Sequence, residues 1–276
     1  LSSVGTRSRQ TSLGALLCGQ LRELLGAELC LVNGGGIRAS REYRERFTYG
    51  DLEDEVPFDN EMVVVPMPGK VLAEAILESR KHSPQPMGCF LQTCSRVEID
   101  PETHQLLSVG GQPLQPERLY RVGTIRNLMT GLDHIQTLTD FGKKSALPPE
   151  GTGRGIRGLL VEAFATEIWK SLGGFDKVDV NHDGKVTMDE LKDAIERNRH
   201  ERPSEVVVGL VARALDTNKD TIISPEEAAR LEVGEILVVR ETSAAYLDAI
   251  RKARGLITEV DGLQSHAAAS SIKRLI

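Results

Sequence analysis

The chain is poor in aromatic residues, which make up 4% of its 276 positions, so each ring that does occur carries weight. It has no basic excess. Its formal net charge is −6, whereas proteins that track a phosphate backbone carry surplus lysine and arginine, and nucleic acid is excluded as a partner class on that ground. No apolar run reaches the length of a membrane span, and the longest, such as Met62 to Val65, are strand-sized. Cysteine is sparse: Cys18, Cys30, Cys89 and Cys94 show neither a CxxC spacing nor a histidine pattern that reads as zinc. Cys89 and Cys94, five apart, would point to opposite faces of one strand and could not bridge. Buried reduced thiols are expected. That leans towards an intracellular setting, with disulfides left open. An initiator methionine is also missing: the sequence opens on Leu1 and is expected to be a fragment whose true amino terminus, with any signal segment, lies upstream.

What is present supports a sizeable core and two domains, since 40% of the residues are hydrophobic. Up to about residue 145, helical and strand-like segments alternate. Thr11 to Leu25 carries a leucine stripe closed by Gly26, and Leu52 to Val56 reads as a short helix ended by Pro57. Glu61 to Met67 reads as a strand and Val71 to Arg80 as a helix. Cys89 to Ile99, Gln105 to Val109 and Leu119 to Ile125 read as further strands.

The stretch Asn33-Gly34-Gly35-Gly36-Ile37-Arg38 follows the apolar run Leu29 to Val32, so a turn is delivered to the carboxyl end of a buried strand, where ligands sit in α/β sheets. Three glycines expose main chain and tolerate positive φ. Arg38 supplies a planar guanidinium suited to phosphate or carboxylate. Gly34 to Ala39 also satisfies G-x-G-x-x-A with Asp54 downstream, but Ser40 to Arg46 is charged nearly all round and lacks the apolar face a dinucleotide-binding helix needs.

Taken together, Val32 to Arg38, the upstream Arg7-Ser8-Arg9-Gln10-Thr11-Ser12-Leu13-Gly14 and the downstream Val56-Pro57-Phe58 with Met62 to Val65 resemble the carboxyl-terminal domain of the 5'-nucleotidase and UDP-sugar hydrolase family. The resemblance covers about 140 residues with motif order preserved. It implies a domain that holds a nucleotide for a two-metal phosphoesterase domain lying upstream. By the same resemblance Arg7 and Arg38 would grip phosphate, Asn33 would bond the base beside Gly35, Phe58 would stack on the base, and Asp133 would accept a ribose hydroxyl. Leu128 stands where the family has a second stacking aromatic. The metal ligands of the catalytic half are not in this sequence: its six histidines form no ligand cluster, and the chain alone is expected to hydrolyse nothing. The two catalytic divalent metals are expected only in the upstream domain.

A loop from Gly142 to Gly155 marks a boundary. Beyond it, Leu160 to Val178 reads as one amphipathic helix running into Asp179 to Glu190, a full EF-hand loop. Asp179, Asn181 and Asp183 would give side-chain oxygens to Ca2+, Lys185 its carbonyl, Thr187 a direct or water-mediated oxygen, and Glu190 both carboxylate oxygens. Thr187 and Glu190 also form a capping box for a helix from Met188 to Arg197. A second loop places Asp216, Asn218, Asp220, the Ile222 carbonyl, Ser224 and Glu227 in the same positions. Thr221 replaces its turn glycine, which forces a side chain towards positive φ and predicts weaker binding there. Val186 and Ile223 are placed to pair between the loops. In the tail, Ser243 to Arg254 reads as a basic amphipathic helix.

The fold class read from sequence is therefore α+β: a mixed α/β 5'-nucleotidase-type domain over 1–145, a linker over 146–156, an all-α EF-hand pair over 157–233 and a helical tail over 234–276. The function implied is the nucleotide-recognition part of a metallophosphoesterase with calcium-binding loops. The alternative is a non-catalytic calcium sensor or scaffold whose nucleotide pocket has decayed.

Overall fold

The computed structural model describes residues 1–44, 46–230, 236–239 and 255–258. These divide into two compact units, Leu1–Ala163 and Phe164–Ile276. No helix among the described residues is long and apolar enough to cross a membrane.

The first unit is mixed α/β. It opens with α1 (Ser12–Leu24), whose N-cap Thr11 accepts from the Gly14 amide and whose Leu13, Leu17, Cys18 and Leu21 are buried. There follow β1 (Leu29–Asn33), α2 (Tyr49–Glu55), β2 (Glu61–Pro68) and α3 (Gly69–Arg80). Next come β3 (Leu91–Thr93), β4 (Val97–Ile99), β5 (Leu106–Val109), β6 (Gln112–Pro113), β7 (Leu119–Ile125), α4 (Gln136–Lys144) and β8 (Arg154–Gly155). The main sheet runs β3-β1-β7-β2-β8. β1 and β7 are parallel, and the other neighbours are antiparallel. Every residue of β1 is buried, as a central strand covered on both faces requires.

The segment Cys89 to Ile99, expected as one strand, is two. β3 joins the main sheet and β4 joins a separate β4-β5-β6 sheet. The break is a turn at Cys94, whose carbonyl accepts the Val97 amide at 3.1 Å. Residues 154–155, read as the end of a linker, add a fifth strand: Glu61 faces Gly155 and Met62 faces Arg154. The chain leaves this strand tied to the loop ahead of β2, with Ile156 donating to the Asn60 carbonyl and the Arg157 amide to Asp59 Oδ1, both at 2.9 Å. All four cysteines are free and buried.

The second unit contains α5 (Ile156–Ser171), which begins in the first, then α6 (Phe175–Val178), α7 (Met188–Arg199), α8 (Glu205–Leu215) and α9 (Pro225–Ala229). The helix expected to run unbroken to Val178 stops at Ser171. Gly173 and Gly174 take φ of 90° and 84°, outside the helical region, and separate α5 from α6. Trp169, Val178, Val186, Leu191, Ile195, Val211 and Ile223 pack in one core. Further on, β9 (Ile236–Val239) and β10 (Gly255–Thr258) pair in parallel. The helix read at Ser243 to Arg254 lies outside the described residues.

Glu78 on α3 ties α4 into the first unit, because its carboxylate accepts from the Gln136 and Thr137 amides at 2.9 Å each and from Thr137 Oγ1 at 2.8 Å. Burial pushes this carboxyl up, but the donors at the helix start outweigh it and hold it below its ordinary value. A depressed carboxylate contributes stability above its unfolded pKa and loses it as pH falls through the folded value. Glu78→Gln should therefore cost about 1 kcal/mol at neutral pH and much less in acid, as read by urea unfolding in both ranges.

Candidate functional site

β1 ends at Asn33, 4% exposed, and the glycines that follow make one 3-10 turn, Gly34–Gly36. Gly34 donates to the Phe90 carbonyl at 2.7 Å and Gly35 to the Gly88 carbonyl at 2.8 Å. Positive φ was one reason to expect glycine here, yet none of the three adopts it. Close approach is the reason instead. A Cβ on Gly34 would lie 2.1 Å from the Thr6 carbonyl oxygen, and one on Gly35 would lie 3.0 Å from Gly88 Cα. Three segments therefore meet at the turn: residues 6–7, the turn itself and the loop ending at Gly88.

Arg7 enters through its main chain, its carbonyl accepting the Met87 amide at 2.8 Å. The segment around it is pinned by Gln92 of β3, which is fully buried. Gln92 Nε2 donates to the carbonyls of Thr6 (2.8 Å) and Arg9 (2.7 Å), and its Oε1 accepts the Thr11 amide at 2.9 Å. On the other flank, Arg38 donates its amide to the Glu55 carbonyl at 2.9 Å. Its side chain donates to the Gly35 carbonyl at 3.3 Å and lies 6.0 Å from the centre of the Phe58 ring. Phe58 is 52% exposed, so its ring is not core packing. Behind it sits an apolar cavity of about 10 Å³, lined by Leu17, Ile37, Phe58, Asn60, Ile125 and Ile156 among others.

Asp133 closes the group. It takes a φ of 59° in a turn after Gly131, and its Oδ2 accepts from Asn33 Nδ2 at 2.5 Å. A Cβ on Gly88 would stand 3.2 Å from Asp133 Oδ1. Asn33 is thus spoken for on its amide nitrogen, while its buried Oδ1 has no hydrogen-bond partner. Asn33, at the end of β1, is linked by these bonds to Gly35, Arg38 and Asp133 on the adjoining loops, while Arg7 joins through its main chain to Met87 and Phe58 only by its approach to the Arg38 guanidinium. Leu128 is fully buried and offers no surface for a flat ligand.

Several residues that build this arrangement escaped sequence reasoning. Gln92 was hidden inside a strand pattern, and Gly88 in a loop without a motif. Glu55 is fully buried, accepting from Tyr43 Oη at 2.8 Å, the Ala39 amide at 3.0 Å and Ser3 Oγ. Its signal was present, since an acidic residue stood between Leu52 and Val56 on the inward face of a short helix. Arg80, also buried, holds its guanidinium 4.6 Å over the Phe90 ring, and burial pulls its pKa down to about 10.

In the second unit, the loop from Asp179 to Glu190 folds on its own side chains. Asp179 Oδ2 accepts the Gly184 amide at 3.0 Å, Asn181 Oδ1 the Asp183 amide at 2.8 Å, and Asp183 Oδ1 the Lys185 amide at 2.9 Å. Thr187 and Glu190 form the capping box of α7, with Gly184 at φ 77°. Two carboxylate oxygens stay buried without partners, Asp179 Oδ1 and Glu190 Oε1. The loop from Asp216 to Glu227 follows the same course, with Ser224 and Glu227 capping α9 and Thr221 at φ 69°, as its sequence requires. Val186 and Ile223 exchange amide hydrogen bonds of 2.9 Å between the loops. Among the described residues, no three His, Cys, Asp or Glu side chains are gathered as a group that could hold a metal ion. The orphaned acceptors at the first and last positions of the first loop nonetheless fit a hard, oxygen-seeking cation.

The first unit is, by this geometry, a mixed α/β domain that presents a glycine turn flanked by a cation, an exposed ring and a carboxylate. The family profile described as "5'-nucleotidase, C-terminal domain" matches residues 2–140, and the chain belongs to that family. Shorter matches are to "EF hand" over residues 173–195 and to "PEP-utilising enzyme, mobile domain" over residues 231–273. Protein UshA of Yersinia enterocolitica is 29% identical over 141 residues, covering 49% of this chain and 25% of its own length. The chain thus spans about a quarter of that relative. A pyruvate kinase of Lactobacillus delbrueckii subsp. bulgaricus is 52% identical over 46 residues, or 16% of this chain and 8% of the kinase. Among solved structures, the 5'-nucleotidase precursor of Thermus thermophilus aligns at 25% identity with a TM-score of 0.47, over 58% of this chain and 33% of that one.

Because a Cβ at position 34 would strike main chain, Gly34→Ala should destabilise the protein by roughly 1 to 3 kcal/mol. Gly19→Ala, where a Cβ meets nothing within 4 Å, should be neutral or stabilising in the same thermal unfolding measurement.

Proposed function

We propose that residues 1–140 hold a nucleotide for a metal-dependent phosphoesterase domain of the same longer protein, which hydrolyses it to nucleoside and phosphate. The observation that carries this reading is the placement of Arg38 and the exposed Phe58 ring beside the glycine turn, next to an Asn33 Oδ1 that lacks a partner. Arg7 and Arg38 would attract the anionic end, Phe58 would stack on the base, and Asp133 would accept from the sugar while orienting Asn33. The hydrolytic metals would come from the phosphoesterase domain, and this chain supplies grip and orientation. The family assignment points the same way.

Calcium binding is proposed for the loop from Asp179 to Glu190, where side-chain oxygens of Asp179, Asn181, Asp183 and Glu190 and the Lys185 carbonyl would surround the ion. The unpartnered Asp179 Oδ1 on a residue only 4% exposed supports it, because a buried carboxylate oxygen is costly without a partner. The rival is a calcium-binding scaffold that has lost its nucleotide, and Leu128 in the core favours that rival by leaving Phe58 without a second stacking ring.

Residues 231–273 invite a separate reading as a module of the PEP-utilising mobile-domain type, supported by the profile match, the pyruvate kinase similarity and the parallel β9-β10 pair. Deleting the chain after residue 230 should leave calcium and nucleotide binding intact, and loss of either in calorimetry would count against an independent module.

Calorimetric titration of the chain with a nucleoside monophosphate and with a UDP-sugar should show binding. Phe58→Ala should weaken it by about 5- to 150-fold, the range of a stacked base. No heat with either ligand would favour the scaffold. Saturating calcium should raise the melting temperature, by an amount equivalent to about 2.7 kcal/mol at a hundred times the dissociation constant. Glu190→Gln should abolish that rise.

A further inference from the structure

The two acidic loops share a template but not a hydrogen-bond pattern, and they differ at the first and last positions, most of all at the last. In each, the final glutamate uses Oε2 for its capping box: Glu190 accepts the Thr187 amide and hydroxyl at 2.9 Å each, and Glu227 accepts the Ser224 amide at 3.0 Å and its hydroxyl at 2.8 Å. Glu190 Oε1 is left buried and unpartnered. Glu227 Oε1 instead reaches back to the start of its own loop, accepting the Thr217 amide at 2.8 Å, the Thr217 hydroxyl at 3.1 Å and the Asn218 amide at 3.2 Å.

We propose that this pair of loops takes a single divalent cation, in the loop from Asp179 to Glu190, and that Glu227 closes the other loop without metal and so positions the first site. The proposal rests on the calcium reading of the first loop. A bidentate glutamate at the twelfth position normally draws the two ends of such a loop together around the ion. Glu227 already joins those ends through the backbone, so binding metal there would require releasing all three donors on Oε1. Asp216 is committed too, with Oδ1 accepting the Lys219 amide at 2.6 Å and Oδ2 the Thr221 amide at 2.9 Å. Thr221 at φ 69° adds strain at the position where the first loop has Gly184. None of the buried polar atoms without a partner belongs to the second loop among the described residues, whereas two belong to the first.

The closed loop acts on the open one through the backbone bridge. Ile223, next to the capping Ser224, is 1% exposed and exchanges hydrogen bonds with the fully buried Val186, which follows Lys185. Holding Ile223 fixed holds Val186, and with it the Lys185 carbonyl that would serve as a ligand. Glu227 is thus a positioning residue for a site it does not touch.

Titration of the whole chain with calcium alone should give one ion per chain, and two ions of similar affinity would overturn the proposal without a variant being made. Glu227→Gln, which replaces one acceptor oxygen by a donor, should lower the affinity of the single site about tenfold. It should also lower the metal-free melting temperature followed by fluorescence of Trp169, the only tryptophan, which sits in the shared core. Glu190→Gln should abolish binding and leave that metal-free temperature nearly unchanged. If wild type binds no calcium, the calcium reading of the first loop fails, and the clamp is still judged by the metal-free comparison. Equal metal-free stability of wild type and Glu227→Gln sinks it.

Discussion

The site depends on a single buried amide. Gln92, fully enclosed in β3, spends both polar atoms on the main chain of residues 6 to 11. That segment forms no ladder of its own at Thr6 and Arg9, so the buried Thr6 carbonyl needs a side-chain donor, and a glutamine whose two ends face opposite needs supplies donor and acceptor together. Its removal would leave several buried groups unpaired at once, at about 1 to 3 kcal/mol each. The main chain on either side of Arg7 is held by this contact, through Thr6 and Arg9. Glu55 does the corresponding task for the other flank, with neutral donors only, and fixes the strand of main chain that carries Arg38.

Polar anchors of this kind explain why the site was only half legible. The repeating elements could be read: the leucine stripe gave α1 to within a residue at each end, and Leu119 to Ile125 is β7 as expected. The positions of Asn33, at the end of β1, and of Arg38 and Phe58, on the loops between β1 and β2, follow from where those elements begin and end. What could not be read were events without a period. The change of sheets at Cys94 to Val97 leaves β-rich residues on both sides, and nothing in their alternation marks the turn. The interruption at Gly173 and Gly174 was visible in composition but was overruled by the apolar stripe running through it. The glycines of the turn were read partly for the wrong property, conformational freedom, when the demand came from Thr6 and Gly88 closing in from outside.

The acidic loops teach a related lesson. The Thr187–Glu190 capping box and the Val186–Ile223 bridge follow from sequence, as does the left-handed conformation of Thr221. Sequence spacing alone treats Glu190 and Glu227 as equivalents. Three-dimensional placement separates them, since one keeps an oxygen in reserve and the other gives both to its own backbone.

The exit of the chain from the first unit has a mechanical side. Arg157 hangs by its amide on Asp59, and Ile156 on Asn60, directly behind the exposed ring of Phe58, with the small cavity lined by Phe58, Asn60 and Ile156 between sheet and ring. The two residues that follow Phe58 in the chain are thus the same two that fasten the outgoing polypeptide, so one short loop serves both as mount for the ring and as anchorage for the exit.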